Sequence, residues 1–476
     1  MLTLDISGAM ADAIGSKHGI EEADLELCIN RYGGITHEIV KERRAGGLAF
    51  LDLPYDSEMA GKVAEVAANI RDRFENFVVL GIGGSALGCI ALHSALRHPQ
   101  YNLREKPRMF FLDNIDPERT AGLLETLDPA KTCVNVITKS GSTAETMANM
   151  LVFAGWLKDA LGDEWTKHIV ATTDPEKGDL RKLVEKHNLV SLEVPPGVGG
   201  RFSVFSPVGL LSAAVSGISI EKVLEGAQFA DLALSKRQAD DDPAFAYALM
   251  KYLLDTEKGK TMSVLMPYSH ALRDIADWYR QLWAESLGKK NDIEGNEVHT
   301  GQTPIKALGT TDQHSQVQLY TEGPNNKLFT FLRVSGFRES VGIPDLFSDL
   351  GSCGYLAGST IEKLMDAEAT GTLAALRDAK RPCFVLEAAE INEQTVGALL
   401  HFFEMVTAYS GRLYNINAFD QPGVEAGKVA AYALMGREGY AGKRGEIEAG
   451  LTGDPSKRLS IVEMTRFKKD DVIDVS

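Results

Sequence analysis

Cysteine, unbroken apolar sequence and positive charge are all scarce in this chain. Its five cysteines (Cys28, Cys89, Cys133, Cys353, Cys383) are odd in number, scattered, and never spaced Cys-x-x-Cys. That argues against a disulfide framework and for reduced thiols in a cytoplasm. The stretch from Phe202 to Ile220 is free of charge, but Ser and Gly recur through it. A bilayer span takes ~17–25 predominantly apolar residues, so no membrane segment is expected. The opening MLTLDISGAM has an acid at Asp5 and no basic residue, and no secretory signal is expected of it. The ten histidines form no His-x-His or His-Glu-x-x-His pair, the usual signature of a metal site. Lys and Arg number 50 against 66 Asp and Glu, a net charge of −16. Such a surface repels nucleic acid and anionic membranes, so a site for an anion has to be built locally.

What is present is ordinary globular sequence, 44% apolar and 24% charged in 476 residues, enough for about three domains. Residues 1 to about 50 read as a helical arm. Asp56 and Ser57 offer an N-cap, and Met59, Val63, Val66, Ile70 and Phe74 follow at helical spacing. Short apolar runs then alternate with helical stretches: Phe77–Leu80, Met109–Leu112, Thr132–Ile137 and His168–Thr172 as strands, Leu87–Leu96 and Met147–Leu157 as helices. That alternation is the pattern of a parallel sheet with helices on both faces. After the Pro/Gly-rich link Val194–Gly200, a second α/β unit begins at Thr261–Met266. It continues through a helix over Ala271–Leu287, strands at Leu328–Val334 and Cys383–Leu386, and helices at Thr395–Ala408 and Val424–Met435.

Two turns carry chemistry. Gly81-Ile-Gly-Gly-Ser-Ala-Leu-Gly88 follows the first strand, at the carboxyl end where open parallel sheets bind ligands. Its glycines allow a close backbone approach to an anion, and the helix behind it supplies free N–H groups. The same run fits the dinucleotide pattern G-x-G-x-x-A, with Asp113 placed where a ribose-binding acid belongs. The third strand ends in Thr138-Lys-Ser-Gly-Ser-Thr-Ala-Glu-Thr146, five hydroxyls and a lysine at the mouth of the next helix. This cradle suits one phosphate monoester and is more than a dinucleotide needs, although a Ser/Thr-rich helix cap has the same composition.

Single residues are more ambiguous by pattern alone. Glu285 and Gln281 lie one turn apart beside the stripe Leu272, Ile275, Tyr279 and Leu282, so both can face one ligand. Arg201 follows two glycines and reads either as an oxyanion-binding fork or as a surface linker residue. Lys428 falls on the stripe Val424, Ala431 and Met435, where it needs a partner or a task, with Glu425 in the same turn.

In these segments, together with Gly199-Gly-Arg-Phe-Ser203, Glu285-Ser-Leu-Gly-Lys289, Asp312-Gln-His314, Gly411-Arg-Leu-Tyr414 and Phe419-Asp-Gln-Pro-Gly-Val-Glu-Ala-Gly-Lys428, the sequence resembles the phosphoglucose isomerase family. The resemblance implies interconversion of glucose 6-phosphate and fructose 6-phosphate by ring opening and proton transfer through a cis-enediol. It implies a cytoplasmic homodimer with shared active sites and no metal or organic cofactor. The fold it implies is α/β, with two sugar-isomerase (SIS) domains, each a parallel sheet flanked by helices. The expected divisions are an arm at 1–50, a first SIS domain at 51–205, a helical connection at 206–260, a second SIS domain at 261–436 and a tail at 437–476. Carried over position by position, Ser85, Thr138, Lys139, Ser140 and Thr143 would hold the phosphate, with Gln281 and Gln421 nearby. Glu285 would be the base, and Arg201 would stabilise the enediolate. His314, supplied by the partner subunit, and Lys428 would assist ring opening. The chain departs from the family where Thr138-Lys-Ser140 replaces Ser-Lys-Thr, where Gly141 replaces a bulkier residue and where Pro422 replaces Trp. An NAD-dependent dehydrogenase and a non-catalytic sugar-phosphate-binding SIS regulator remain the alternatives at this level.

Proton transfer by a carboxylate needs no metal, and the histidine spacing supplies none. EDTA is therefore expected to leave turnover of fructose 6-phosphate in a coupled assay unchanged. Activity that is lost to EDTA and returns with a divalent cation contradicts this expectation.

Overall fold

The computed structural model describes residues 2–235 and 238–451. It opens with strand β1 (Leu2–Asp5), which pairs much later in the chain. The arm is otherwise helical, so the expectation of a wholly helical segment is corrected at its first residues. The Leu-Thr-Leu-Asp alternation there is too short to stand out from a helix by pattern.

The first sheet is built from β2 (Asn76–Leu80), β3 (Arg108–Leu112), β4 (Thr132–Thr138), β5 (Ile169–Thr173) and β6 (Val190–Glu193), in the order β3-β2-β4-β5-β6, all parallel. β2 and β4 are buried at every position, which is why they read as continuous apolar runs. Polar members pair in place: Asn76 Nδ2 donates to Thr132 Oγ1 at 3.2 Å, and Thr172 Oγ1 of β5 donates to Asn135 Oδ1 at 3.0 Å, while Asn135 Nδ2 is buried without a hydrogen-bond partner among the described residues. The chain leaves β2 for β3 on one side and returns to β4 on the other. The crevice between the carboxyl ends of β2 and β4 is therefore the topological switch point, where such sheets bind ligands.

The second sheet repeats that winding. It uses β7 (Met262–Pro267), β10 (Thr303–Lys306), β11 (Lys327–Gly336) and β12 (Cys383–Glu390), with the hairpin β8 (Lys289–Asn291) and β9 (Glu297–Thr300) standing apart. The order is β1-β12-β11-β7-β10, with β1 antiparallel at one end. β10 contains Pro304 and occupies an edge, where a missing N–H is tolerated. Between β7 and β8 runs the helix Arg273–Leu287, which packs against the helix Leu87–Leu96 that follows β2. A helix of the second half is thereby laid against the first sheet's ligand-binding edge.

The chain divides into two compact units, Met1–Asp420 and Gln421–Ser476. The second contains the helices Glu425–Leu434 and Ala441–Leu451, the guanidinium of Arg437 lying 4.5 Å from the ring centroid of Tyr432. The segment 452–476 of the expected tail lies outside the described residues. Among the described residues, no helix is long and apolar enough to cross a membrane.

In the first unit, the helix Gly34–Arg44 is locked to the helix Ile220–Ser235 by a network around the buried Asp231. Arg43 Nη1 donates to both Asp231 oxygens at 2.9 Å, and Tyr55 Oη donates to Oδ2 at 2.6 Å. Burial by itself raises the Asp231 carboxyl. The His401 ring, 3.4 Å away, with Tyr55 and Arg43 outweighs it and holds the pKa at about 2. Against an unfolded value of ~3.9, this is worth about 2 kcal/mol. A depressed folded-state pKa stabilises above the unfolded value, so the contribution is present from about pH 4 upward and is lost as the pH falls through about 2. Asp231→Asn is expected to lower stability at pH 7 by a few kcal/mol, because it strips Arg43 of its buried carboxylate. It should also flatten the acid limb of the stability profile. An unchanged urea midpoint at pH 7 contradicts this account.

Candidate active site

The switch-point crevice is where the sequence-predicted turns of the first sheet meet. Register places Leu80 of β2 opposite Val136 of β4, so the Gly81–Ser85 turn and the Thr138–Thr143 run leave the sheet side by side. Thr138 Oγ1 lies 3.0 Å from Thr143 Oγ1, and Ser140 Oγ lies 3.4 Å from both. These hydroxyls crowd the mouth of the helix Ala144–Leu161, whose N-cap is Thr143 and whose first N–H groups face the same way. Ser85 closes the neighbouring turn and is partly exposed. Lys139 is anchored by a hydrogen bond from Nζ to Val198 O at 2.7 Å. Gly141 has φ +64°, and a Cβ there would stand 2.8 Å from Asp179 N, so the departure to glycine at this position follows from close backbone packing.

Arg201 is the residue whose surroundings pattern alone misjudges. It is 3% exposed and no surface linker residue. Its Nε donates to Ser286 Oγ at 2.7 Å, and Nη2 donates to Ala418 O at 2.5 Å and to Asp420 O at 3.0 Å. Nη1 lies 3.5 Å from Glu285 Oε2. Burial lowers the guanidinium pKa, and Glu285 and Asp420 oppose that shift. Glu285 itself is one-third exposed, and its other oxygen, Oε1, accepts from Gln281 Nε2 at 3.2 Å. Gln281 Oε1 is buried without a hydrogen-bond partner among the described residues. A half-open carboxylate between a fixed guanidinium and an amide can take a proton from carbon while the cation holds the charge that develops on oxygen.

His314 lies exposed on the turn Thr311–His314 after β10 and, among the described residues, has no hydrogen bond or ion pair. Gln421 and Lys428 belong to the second unit. The apolar stripe expected to surround Lys428 is not buried: Met435 is 87% exposed, and Lys428 pairs with Glu425 at 2.8 Å on an open helix face. Asp113, the acid that the dinucleotide alternative requires, is engaged by Arg119 Nη1 at 2.6 Å. Sequence reasoning assigned no role to Ser286, Lys289 or Asp420. Lys289 stands inside a quoted motif, and a lysine directly after the helix-ending Gly288 was the available signal.

The phosphoglucose isomerase family model matches residues 63–446. The chain belongs to the phosphoglucose isomerase family. It is 46% identical over 437 residues to a glucose-6-phosphate isomerase of Carboxydothermus hydrogenoformans, covering 90% of this chain and 94% of that one. A second glucose-6-phosphate isomerase, from Rubrobacter xylanophilus, is 47% identical over 396 residues, covering 82% and 90%. Among solved structures, a hypothetical protein of Thermus thermophilus superposes with a TM-score of 0.82 at 37% identity, over 92% of this chain and all of that one. A glucose-6-phosphate isomerase from Chlamydia trachomatis superposes with a TM-score of 0.78 at 22% identity, over 94% and 92%, and shows the same fold. The two repeated sheets are thus those of a phosphoglucose isomerase, and the Gly81–Gly88 turn belongs to a sugar-isomerase sheet rather than to a dinucleotide fold.

The phosphoglucose isomerase turn tolerates little at Gly84. A Cβ there would lie 2.2 Å from Gly200 C and 2.6 Å from Arg201 N, so the turn or the arginine backbone must move. Displacements of about 1 Å at a reacting centre cost on the order of a hundredfold. Gly84→Ala is expected to lower kcat/KM at least tenfold. Gly122→Ala, at a helical position where a Cβ meets nothing within 4 Å, should stay within twofold of the parent. Equal activity of the two variants in a coupled assay contradicts the close packing of Gly84 on Arg201.

Proposed function

We propose that the chain is a glucose-6-phosphate isomerase, interconverting glucose 6-phosphate and fructose 6-phosphate without a metal or organic cofactor. The observation that carries this reading is the Glu285 carboxylate, held between Arg201 and Gln281 beside a hydroxyl-lined helix mouth. Near full-length relatives of that name support it. The substrate phosphate rests on Ser85, Thr138, Lys139, Ser140 and Thr143, with Gln281 and Gln421 completing its contacts. The open-chain sugar then presents C1 and C2 to Glu285. The carboxylate removes the C2 proton, and the electron pair moves through C1–C2 onto the C1 oxygen, where Arg201 stabilises the anion. Glu285 returns its proton to C1, and the hydroxyl proton on O2 passes to O1, leaving the carbonyl at C2. Lys428 and His314 assist ring opening, with His314 contributed by the second subunit of a cytoplasmic homodimer. His314 lies exposed on its turn, open to a second subunit, and that exposure is what supports a donated role for it.

Glu285→Gln is the direct test, because the amide keeps the shape and loses the base. Loss of a general base costs ~10²–10⁴-fold, so kcat with fructose 6-phosphate should fall by at least a hundredfold. Affinity for a sugar-phosphate inhibitor should stay within a few-fold. Turnover like that of the wild type would remove Glu285 from the reaction.

A further inference from the structure

Lys289 is a buried cation that the reaction as described does not use. It stands at the start of β8, directly after the helix that carries Glu285, and its side chain is 5% exposed. The last carbonyls of a helix lack an intrahelical donor. Here Gly288 N serves Ala284 O, and the Lys289 ammonium serves the next one, donating to Glu285 O at 2.6 Å. The same Nζ donates to Asp420 O at 2.7 Å and lies 3.5 Å from Asp420 Oδ1. Asp420 O is also the acceptor of Arg201 Nη2 at 3.0 Å. One ammonium therefore ties the backbone of the base to the carbonyl that holds the guanidinium.

We infer that Lys289 is a positioning residue that sets the separation between the Glu285 carboxylate and the Arg201 guanidinium. The inference rests on the isomerase reading of those two residues. Without Lys289, Glu285 O and Asp420 O have no common donor, and of these two cations only Arg201 still bridges the helix end and the 416–420 loop. The gap between Glu285 Oε2 and Arg201 Nη1, 3.5 Å in this structure, is the distance that would drift. The loss falls on the proton-transfer step, because the phosphate-binding hydroxyls sit on a different loop, Thr138–Thr143. Burial and the adjacent Arg201 charge lower the Lys289 pKa, and Asp420 and Glu285 oppose them, which agrees with a cation placed as part of a charge cluster.

The test compares Lys289→Met, Lys289→Gln and Lys289→Arg with the wild type, reading kcat and KM for fructose 6-phosphate alongside thermal unfolding. Wild-type turnover is measured first, and its absence defeats the isomerase reading itself. With an active wild type, the neutral variants are expected to lose on the order of ten- to a hundredfold in kcat with KM within about threefold. Arginine, which keeps charge and donors, should recover kcat to within about fivefold. The inference is overturned if a folded neutral variant keeps kcat within threefold of wild type. It is overturned equally if arginine is no better than methionine, or if neither neutral variant folds, since the residue is then structural.

Discussion

The guanidinium of Arg201 is the interaction on which the rest of this structure turns. A buried cation is tolerated only where its N–H groups are met by acceptors, and removing partners from it costs several kcal/mol. Its partners come from two separated parts of the chain: Ser286 and, at a looser 3.5 Å, Glu285 on one helix, and the Ala418 and Asp420 carbonyls on a loop. Satisfying one side chain thus fixes the helix Arg273–Leu287 and the 416–420 loop against the first sheet. Gly84, pressed on the Arg201 backbone, extends the same constraint to the turn after β2.

That constraint explains how a fold that winds the same way twice yields one asymmetric site. Both sheets send their first strand outward and back, so each has its own switch point. The helix Arg273–Leu287 leaves the carboxyl end of β7 and rises ~1.5 Å per residue. Glu285 therefore arrives about 18 Å from the helix start, at the first sheet's crevice rather than its own. The second half supplies Glu285, the proposed base, and the first half the hydroxyl cradle. Neither half alone carries both, and both halves lie in one compact unit that ends at Asp420.

Features set by local chemistry were legible in the sequence, and those set by distant partners were not. The central strands of both sheets show in apolar runs, because strands buried along most of their length have no polar face to interrupt them. Of the edge strands, β3 was legible, but β1, β6 and β10 escaped: β1 and β6 have four residues each, β6 has an exposed Val190, and β10 carries a proline. The hydroxyl cradle is contiguous and could be read as an anion site before any fold was known. Arg201 could not, since nothing around it in sequence reveals carbonyl acceptors at Ala418 and Asp420. Lys428 erred the other way, because its small-residue stripe mimics a buried face that the helix leaves open.

The cations around the crevice are held in a manner suited to an anionic ligand in an acidic protein. Lys139 is fixed by Val198 O, Lys289 by Glu285 O and Asp420 O, and Arg201 by Ala418 O and Asp420 O. A carbonyl dipole orients an ammonium or guanidinium without cancelling its charge. A carboxylate at the same distance would orient it and neutralise it together. The carboxylates near these groups, Glu285 and Asp420, stand farther off at 3.5 Å. With −16 on the chain as a whole, long-range attraction works against a phosphate ester. The potential that binds one must come from charges left uncancelled at close range, where a partly dry crevice screens them least. Backbone anchoring gives the site that potential and keeps each cation in place before the substrate arrives.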